Sequence, residues 1–269
     1  MTSTILTERD GDVLIVTNNN PDSRNALSPD FYEGFKEVLD EAAADASVGA
    51  VVLTGAGDFF CAGGNLNRLR ANASKPAEVR EASVSRLHGM IMSMRECPKP
   101  IIAAVEGGAA GAGVSMALAC DMIICASDAF FSVAYVKIGL TTDGGVTSFL
   151  GSMLPRQLAT EFCLTGDRLP AERLHGLGLI NHLVDKGTAL DEAKALAARL
   201  ATGPARAMGH IKMLCRNAPE NTLQQQLDLE AKHVVAAQVD PEAIEGIGAF
   251  LEKRQPDFAG LRRKEAEGD

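Results

Sequence analysis

The 269-residue chain has no Trp and only two Tyr, so it lacks the aromatic platforms on which single-stranded nucleic acids stack. Positive charge is also in deficit. Lys and Arg number 26 against 35 Asp and Glu, a net charge of -9, and no global footprint for nucleic acid exists. That balance still leaves room for a local basic pocket holding one anionic ligand. The six Cys form no Cys-x-x-Cys pair and sit mostly in apolar runs, which reads as small buried hydrophobes in a reducing compartment. No metal-ligand spacing is visible among the Cys and His. The segment Met1 to Arg9 has neither a basic start nor an apolar centre, so no secretory signal is read there. The longest apolar stretches are broken by Glu106, Ser115 and Asp121 and are rich in Gly and Ala, unlike a membrane span. A cytoplasmic protein is expected, with neither nucleic acid nor membrane as partner.

What is present is an alternation of short apolar runs and helical patterns. Val13–Val16, Ala50–Thr54, Ile101–Val105 and Met122–Ala126 read as buried strands. Ser28-Pro29-Asp30 is a helix start: a capping hydroxyl, a Pro suited to the first turn, and an acid at the positive dipole end. Phe31, Phe35, Val38, Leu39 and Ala42 then follow a helical period. Buried strands separated by helices imply parallel pairing with crossovers, up to about Val184. A doubly wound sheet and a superhelix of strand-strand-helix units fit this pattern equally. From Thr188 the chain reads as successive helices, 188–200, 204–216, 221–238 and 241–253, with a charged, frayed tail from Pro256. The expected division is an α/β core over 1–200 and a helical region over 201–269.

Four segments can carry chemistry. Phe59-Phe60-Cys61-Ala62-Gly63-Gly64-Asn65-Leu66 runs from a strand end into glycines, where backbone can approach a ligand and aim an N–H at it, or simply turn. The glycine-rich Glu106 to Ser115, followed by the apolar Met116 to Cys120, reads as a strand end emptying through a turn into an apolar helix whose first amides lack intrahelical partners. Its glycine spacing fits neither the dinucleotide fingerprint nor the Walker loop. Asp143, followed by Gly144 and Gly145, is an acid among apolar neighbours, suited to acid–base work or to capping the next helix. Arg24 precedes the first helix and is weak evidence alone.

In this order and spacing the four segments resemble the crotonase superfamily, the enoyl-CoA hydratase/isomerase family, from about Leu14 to Phe258. The most specific part pairs Cys61-Ala62-Gly63-Gly64 with Ala110-Gly111-Ala112-Gly113 and the downstream Ala119-Cys120-Asp121. The segment Gly248 to Arg254 is similar to the family's closing helix. The resemblance implies the α/β crotonase fold: a repeated ββα superhelix core closed by a helical C-terminal trimerisation region, assembled as a homotrimer or hexamer. It implies a coenzyme A thioester as substrate and no permanently bound cofactor. Two backbone donors, at Gly64 and Ala112, would polarise the thioester carbonyl, stabilising charge that develops as an enolate forms. Arg24, Ala26, Ala62, Asn65 and Leu66 match coenzyme A contacts. Phe250 and Lys253 match residues that reach coenzyme A from a neighbouring subunit.

The departures narrow the chemistry. The two glutamates of ordinary hydratases fall at Ser115 and Tyr135, and neither can do carboxylate work. Asp143 is the acid that remains. The run Lys137 to Asp143 looks most like members of the 1,2-epoxyphenylacetyl-CoA isomerase kind. His88 lies where a dehalogenase of the superfamily has a helper histidine, but is read here as a helix histidine near the pocket wall. Tyr135 could partly supply the aromatic stack such a dehalogenase needs. The expectation is an acyl-CoA isomerase or hydratase acting through Asp143 on an unsaturated or aromatic-derived acyl group. A plain 2-enoyl-CoA hydratase of fatty acid oxidation and a degenerate acyl-CoA binder are the rivals.

Overall fold

A computed structural model describes residues 3–267. The chain opens with an antiparallel hairpin, β1 (Ile5–Asp10) and β2 (Val13–Asn18). β1 is almost wholly exposed, so it carries no apolar run that would mark it in the sequence. α1 (Pro29–Ala44) begins as its start signal predicts: the Ser28 hydroxyl accepts the Phe31 amide at 3.2 Å. There follow β3 (Ala50–Gly55), α2 (Leu66–Asn72), α3 (Ala77–Glu96), β4 (Ile101–Val105), β5 (Gly108–Ala110), α4 (Ala112–Ala119), β6 (Met122–Ala126) and β7 (Phe130–Ser132). A 3-10 turn over Ala134–Ile138 leads to α5 (Val146–Met153), α6 (Arg156–Thr165), β8 (Leu169–Pro170), α7 (Ala171–Gly176), β9 (His182–Val184) and α8 (Ala189–Ala201). The chain closes with α9 (Ala205–Asn217), α10 (Leu223–Ala237), α11 (Pro241–Leu251) and α12 (Phe258–Glu267).

The main sheet has the order β1-β2-β3-β4-β6-β9, parallel throughout except for the first pair. A second, smaller sheet holds β5-β7-β8, and isolated bridges Cys61–Ala109 and Leu27–Gly64 continue that layer. This decides between the two architectures that periodicity left open. Each repeat places one strand in the main sheet, a short pairing segment in the second layer, and then a helix. β4–β5–α4 shows the unit in full, and β2–Leu27–α1 shows it with the short strand reduced to a bridge. The coil is therefore a ββα superhelix. Its second layer sets the glycine segment around Cys61–Gly64 beside the one around Gly108–Ala112.

Both faces of the main sheet are covered, which is why its strands read as continuous apolar runs. Val16, Val51, Leu53, Ala103 and Val105 pack towards α1, α3 and α4. Val13, Ile15, Val52, Ile102 and Ile124 meet a stripe of small residues on α8, Ala193, Ala197 and Ala201, spaced one turn apart. Glu106 leaves β4 and accepts the amides of Gly187 and Ala189 at 3.1 and 3.0 Å, holding the start of α8.

The last helices are tied to the core by charge. Lys212 on α9 reaches Asp121 at 2.8 Å, and Asp121 also accepts the Ile101 amide at 2.7 Å. The expectation of a frayed tail is corrected as far as Glu267, while Gly268 and Asp269 lie outside the described residues. α12 docks through Arg262, only 8% exposed, which donates to the Asp12 carboxylate at 2.9 Å and to the carbonyls of Ala46 and Ala201 at 2.7 and 3.0 Å. A charge-rich stretch hid a buried, fully engaged arginine. No described helix is long and apolar enough to cross a membrane.

Candidate active site

The second layer brings two glycine turns into contact. Gly63 has φ +84°, and a Cβ added there would lie 2.6 Å from the Ala110 carbonyl oxygen and 3.1 Å from the Ala112 nitrogen. Only a residue with no side chain lets the segments meet so closely. Gly111, at φ +52°, turns the chain into α4, whose first residue is Ala112. Among the described residues, neither the Gly64 nor the Ala112 amide donates to a protein acceptor. Ala112 also stands at the positive end of a helix whose eight residues are all buried.

Gly64 and Ala112 both line a cavity of about 750 Å³. Of the residues singled out from the sequence, Ala26, Ala62, Gly64, Asn65, Leu66, His88, Ala112, Tyr135 and Asp143 line it. Asp143 is the single carboxylate among the lining residues. It is half-buried, and the Tyr135 hydroxyl donates to its Oδ1 at 2.5 Å. Tyr135 comes from the 3-10 turn and is itself buried. Burial and the Asp143 carboxylate together push its phenol far above the ordinary range, so it stays a donor.

Ser115 lies on the buried face of α4, outside the cavity lining. Its hydroxyl donates to the Asp143 carbonyl at 3.1 Å. A Cβ added at Gly144 would fall 2.8 Å from the Ser115 Cβ, so the loop carrying Asp143 rests directly on this small side chain. Ser115 and Tyr135 thus brace the Asp143 loop and its carboxylate.

His88 is an exposed residue of α3 on the cavity wall. Asn65 caps α2, accepting the Arg68 amide at 3.1 Å. Arg24 does not line the cavity. Its carbonyl accepts the Ala62 amide at 2.9 Å, and its guanidinium lies 5.7 Å from the Phe59 ring centroid, at the exposed end of the same segment. Arg24 and Asn25 both have positive φ, and Asn25 fixes that turn by donating to the Ala56 and Phe59 carbonyls at 2.8 and 2.6 Å. Phe250 and Lys253 lie outside the cavity, with Phe250 82% exposed on α11. Cys61 is buried and its thiol is pushed up to about 12, which makes it an inert packing group. Cys97, Cys120 and Cys125 are buried as expected, whereas Cys215 is exposed.

Sequence reasoning missed Tyr32, which lines the cavity together with Ser83, Leu87 and Leu140. Tyr32 sits within the apolar stripe of α1, and its one available signal was the rarity of tyrosine in this chain. A second groove, about 740 Å³ along β9 and α8, is lined by none of the candidate residues. Among the described residues no cluster of side chains suits a metal ion.

Over residues 8–262 the chain matches the family model described as enoyl-CoA hydratase/isomerase. It is 38% identical over 257 residues to the 1,2-epoxyphenylacetyl-CoA isomerase of Escherichia coli (strain K12), covering 95% of this chain and 98% of that protein. The 2,3-dehydroadipyl-CoA hydratase of the same organism is 32% identical over 260 residues, with 96% and 99% covered. Among solved structures, an enoyl-CoA hydratase from Polaromonas sp. JS666 is 46% identical and superposes with a TM-score of 0.92, over 94% of this chain and 98% of that one.

Proposed function

The chain belongs to the enoyl-CoA hydratase/isomerase family, and from that premise we propose that it isomerises an acyl-CoA thioester by moving a proton with Asp143. The observation that carries this reading is a sole carboxylate in the lining of a cavity that is also lined by Gly64 and Ala112, whose amides have no acceptor among the described residues. The thioester carbonyl lies against the Gly64 and Ala112 N–H groups. The Asp143 carboxylate takes a proton from a carbon conjugated with that carbonyl. The electron pair left behind delocalises onto the thioester oxygen, where the two donors and the α4 dipole favour the developing charge. The same carboxyl group, now neutral, returns the proton to a different carbon. One proton leaves and one arrives, and the double bond has moved.

Tyr135 holds one carboxylate oxygen, which leaves the other for the acyl group. Replacing Asp143 with Asn removes the base but keeps the shape. Turnover should fall by about 10²–10⁴, the range of a lost general base, while acyl-CoA still binds. Near-normal turnover would defeat the assignment. The acyl group is read as unsaturated or derived from an aromatic ring, since the relative at 38% identity is named for such a substrate.

A second reading, hydration of a 2-enoyl-CoA with Asp143 activating water, is favoured by the hydratase named at 32% identity. Incubation with crotonyl-CoA separates the two: addition of water supports hydration and its absence supports isomerisation. Tight CoA ester binding without any product would instead mark a degenerate binder. Arg24, Ala26, Ala62, Asn65 and Leu66 are assigned to coenzyme A. Phe250 and Lys253 serve a neighbouring subunit's site in a trimer or hexamer. Exposed Leu223, Leu227, Val235, Ile244, Ile247 and Phe250 on α10 and α11 give such an assembly its apolar faces. Six free cysteines fit a reducing compartment such as the cytoplasm.

A further inference from the structure

Both of the chain's two tyrosines line the cavity. The Tyr135 hydroxyl is committed to Asp143. The Tyr32 hydroxyl has no hydrogen-bond partner among the described residues, although Tyr32 is only 8% exposed. No sealed side-chain oxygen or nitrogen among the described residues lacks a partner. The Tyr32 hydroxyl must therefore open onto space, and the space it borders is this cavity.

Apart from Tyr135, the other polar side chains of the wall are half-buried or exposed, and of these Thr142 is half-buried without a partner among the described residues. Asn65 Oδ1 holds the Arg68 amide, Ser83 accepts from the Arg68 guanidinium at 3.4 Å, and His88 and Thr141 are exposed. Around Tyr32, α1 otherwise buries Phe31, Phe35 and Leu39. A phenylalanine would suit that stripe, since an unpaired hydroxyl in apolar surroundings is costly unless something completes it. The phenol is pushed up to about 12, by burial first and then by the Asp143 charge, so at neutral pH it can only act as an uncharged O–H.

We infer that Tyr32 is a recognition residue that donates a hydrogen bond to a second oxygen on the acyl group, beyond the thioester carbonyl. The preferred substrate class is then an oxygenated acyl-CoA, carrying a hydroxyl, ether, epoxide or keto oxygen, rather than a plain hydrocarbon chain. A site built to bond a substrate oxygen discriminates against analogues that lack it, because the buried donor is then left unpaired. The inference rests on the acyl-CoA reading of the cavity and adds the chemistry of the acyl end.

The test uses saturated esters in matched pairs: butyryl-CoA with 4-hydroxybutyryl-CoA, and phenylacetyl-CoA with its 2-hydroxy and 4-hydroxy forms. Calorimetry gives the affinity ratio within each pair for the wild-type protein and for Tyr32→Phe. The wild-type protein should bind at least one oxygenated member roughly 3- to 10-fold more tightly than its partner, the span of one net hydrogen bond. In Tyr32→Phe that ratio should collapse to about one. No preference in any wild-type pair, or a preference that survives the substitution, overturns the inference. If the wild-type protein binds no CoA ester at all, the acyl-CoA reading itself fails and takes this inference with it.

Discussion

Tyr135 and Asp143 form a single unit: the phenol donates to the carboxylate at 2.5 Å from a position eight residues earlier in the chain. A hydrogen bond to a charged group is worth about 1.5–3 kcal/mol. Tyr135→Phe should therefore lower kcat by roughly ten- to a hundredfold with KM nearly unchanged, because it frees the base without altering the pocket walls. Steady-state kinetics with the acyl-CoA the enzyme turns over checks this. A rise in KM at constant kcat would instead place Tyr135 in substrate binding.

The two phenols also make the protein sensitive to alkali. The folded Tyr32 is held at about 12 against an ordinary 10, and Tyr135 is raised further still. Above pH 10 the unfolded chain releases phenolic protons that the folded chain retains, so stability is intact below pH 10 and is lost as pH rises towards 12. For Tyr32 alone the loss is on the order of 2 kcal/mol. With no Trp in the chain, tyrosinate absorbance reports these groups cleanly. The expected result is almost no absorbance rise near pH 10, followed by a steep rise coincident with loss of helical circular dichroism. A smooth titration centred at 10 in folded protein would refute it.

Gly63→Ala tests the meeting of the two glycine turns. A methyl group there would sit 2.6 Å from the Ala110 carbonyl oxygen, in a backbone conformation alanine resists, so the turns must part. If the Ala112 amide moves with them, kcat should fall by about 10²–10³, the usual effect of losing one such donor. Thermal denaturation of the same variant shows whether the fold survives.

Lys212 and Asp121 join α9 to the core, with side chains 11% and 17% exposed. Burial pushes the Asp121 carboxyl up, and the Lys212 ammonium pulls it back. Lys212→Met leaves that acid buried beside an apolar chain and should cost about 3–5 kcal/mol in denaturant titration. Adding Asp121→Asn should restore much of the loss. Equal destabilisation in the single and double variants would show that packing, not charge, holds α9.

The elements that could be read in advance are those whose signals are local. β3, β4 and β6 are covered on both faces and so are apolar throughout, and α1 carries its cap, its Pro and its acid in adjacent positions. β5 and β7 were invisible because three residues cannot show a period, and β5 lies inside a glycine run. The docking of Arg262 depends on partners about 60 to 250 positions away, and nothing near it in the chain predicts burial. The same holds at the site. The glycine turns and the acid Asp143 marked their segments, and the family resemblance picked out Gly64 and Ala112 within them, whereas nothing marked Tyr32. Its setting is created only when α1 is laid against segments from later coils.

That last arrangement separates the tasks of the cavity along the chain. The amides and the acid come from the turn at Gly64, the start of α4 and the loop after the 3-10 helix. Leu66, Leu69, Ser83, Leu87 and His88 of the lining come from α2 and α3, between Gly64 and β4. On the proposed function, a lineage can exchange that one stretch, by substitution or by a change of length, and admit a new acyl group while the proposed proton-handling parts keep their places. Diversity of substrate among relatives of this architecture then needs no reinvention of the reaction centre, only a new lining.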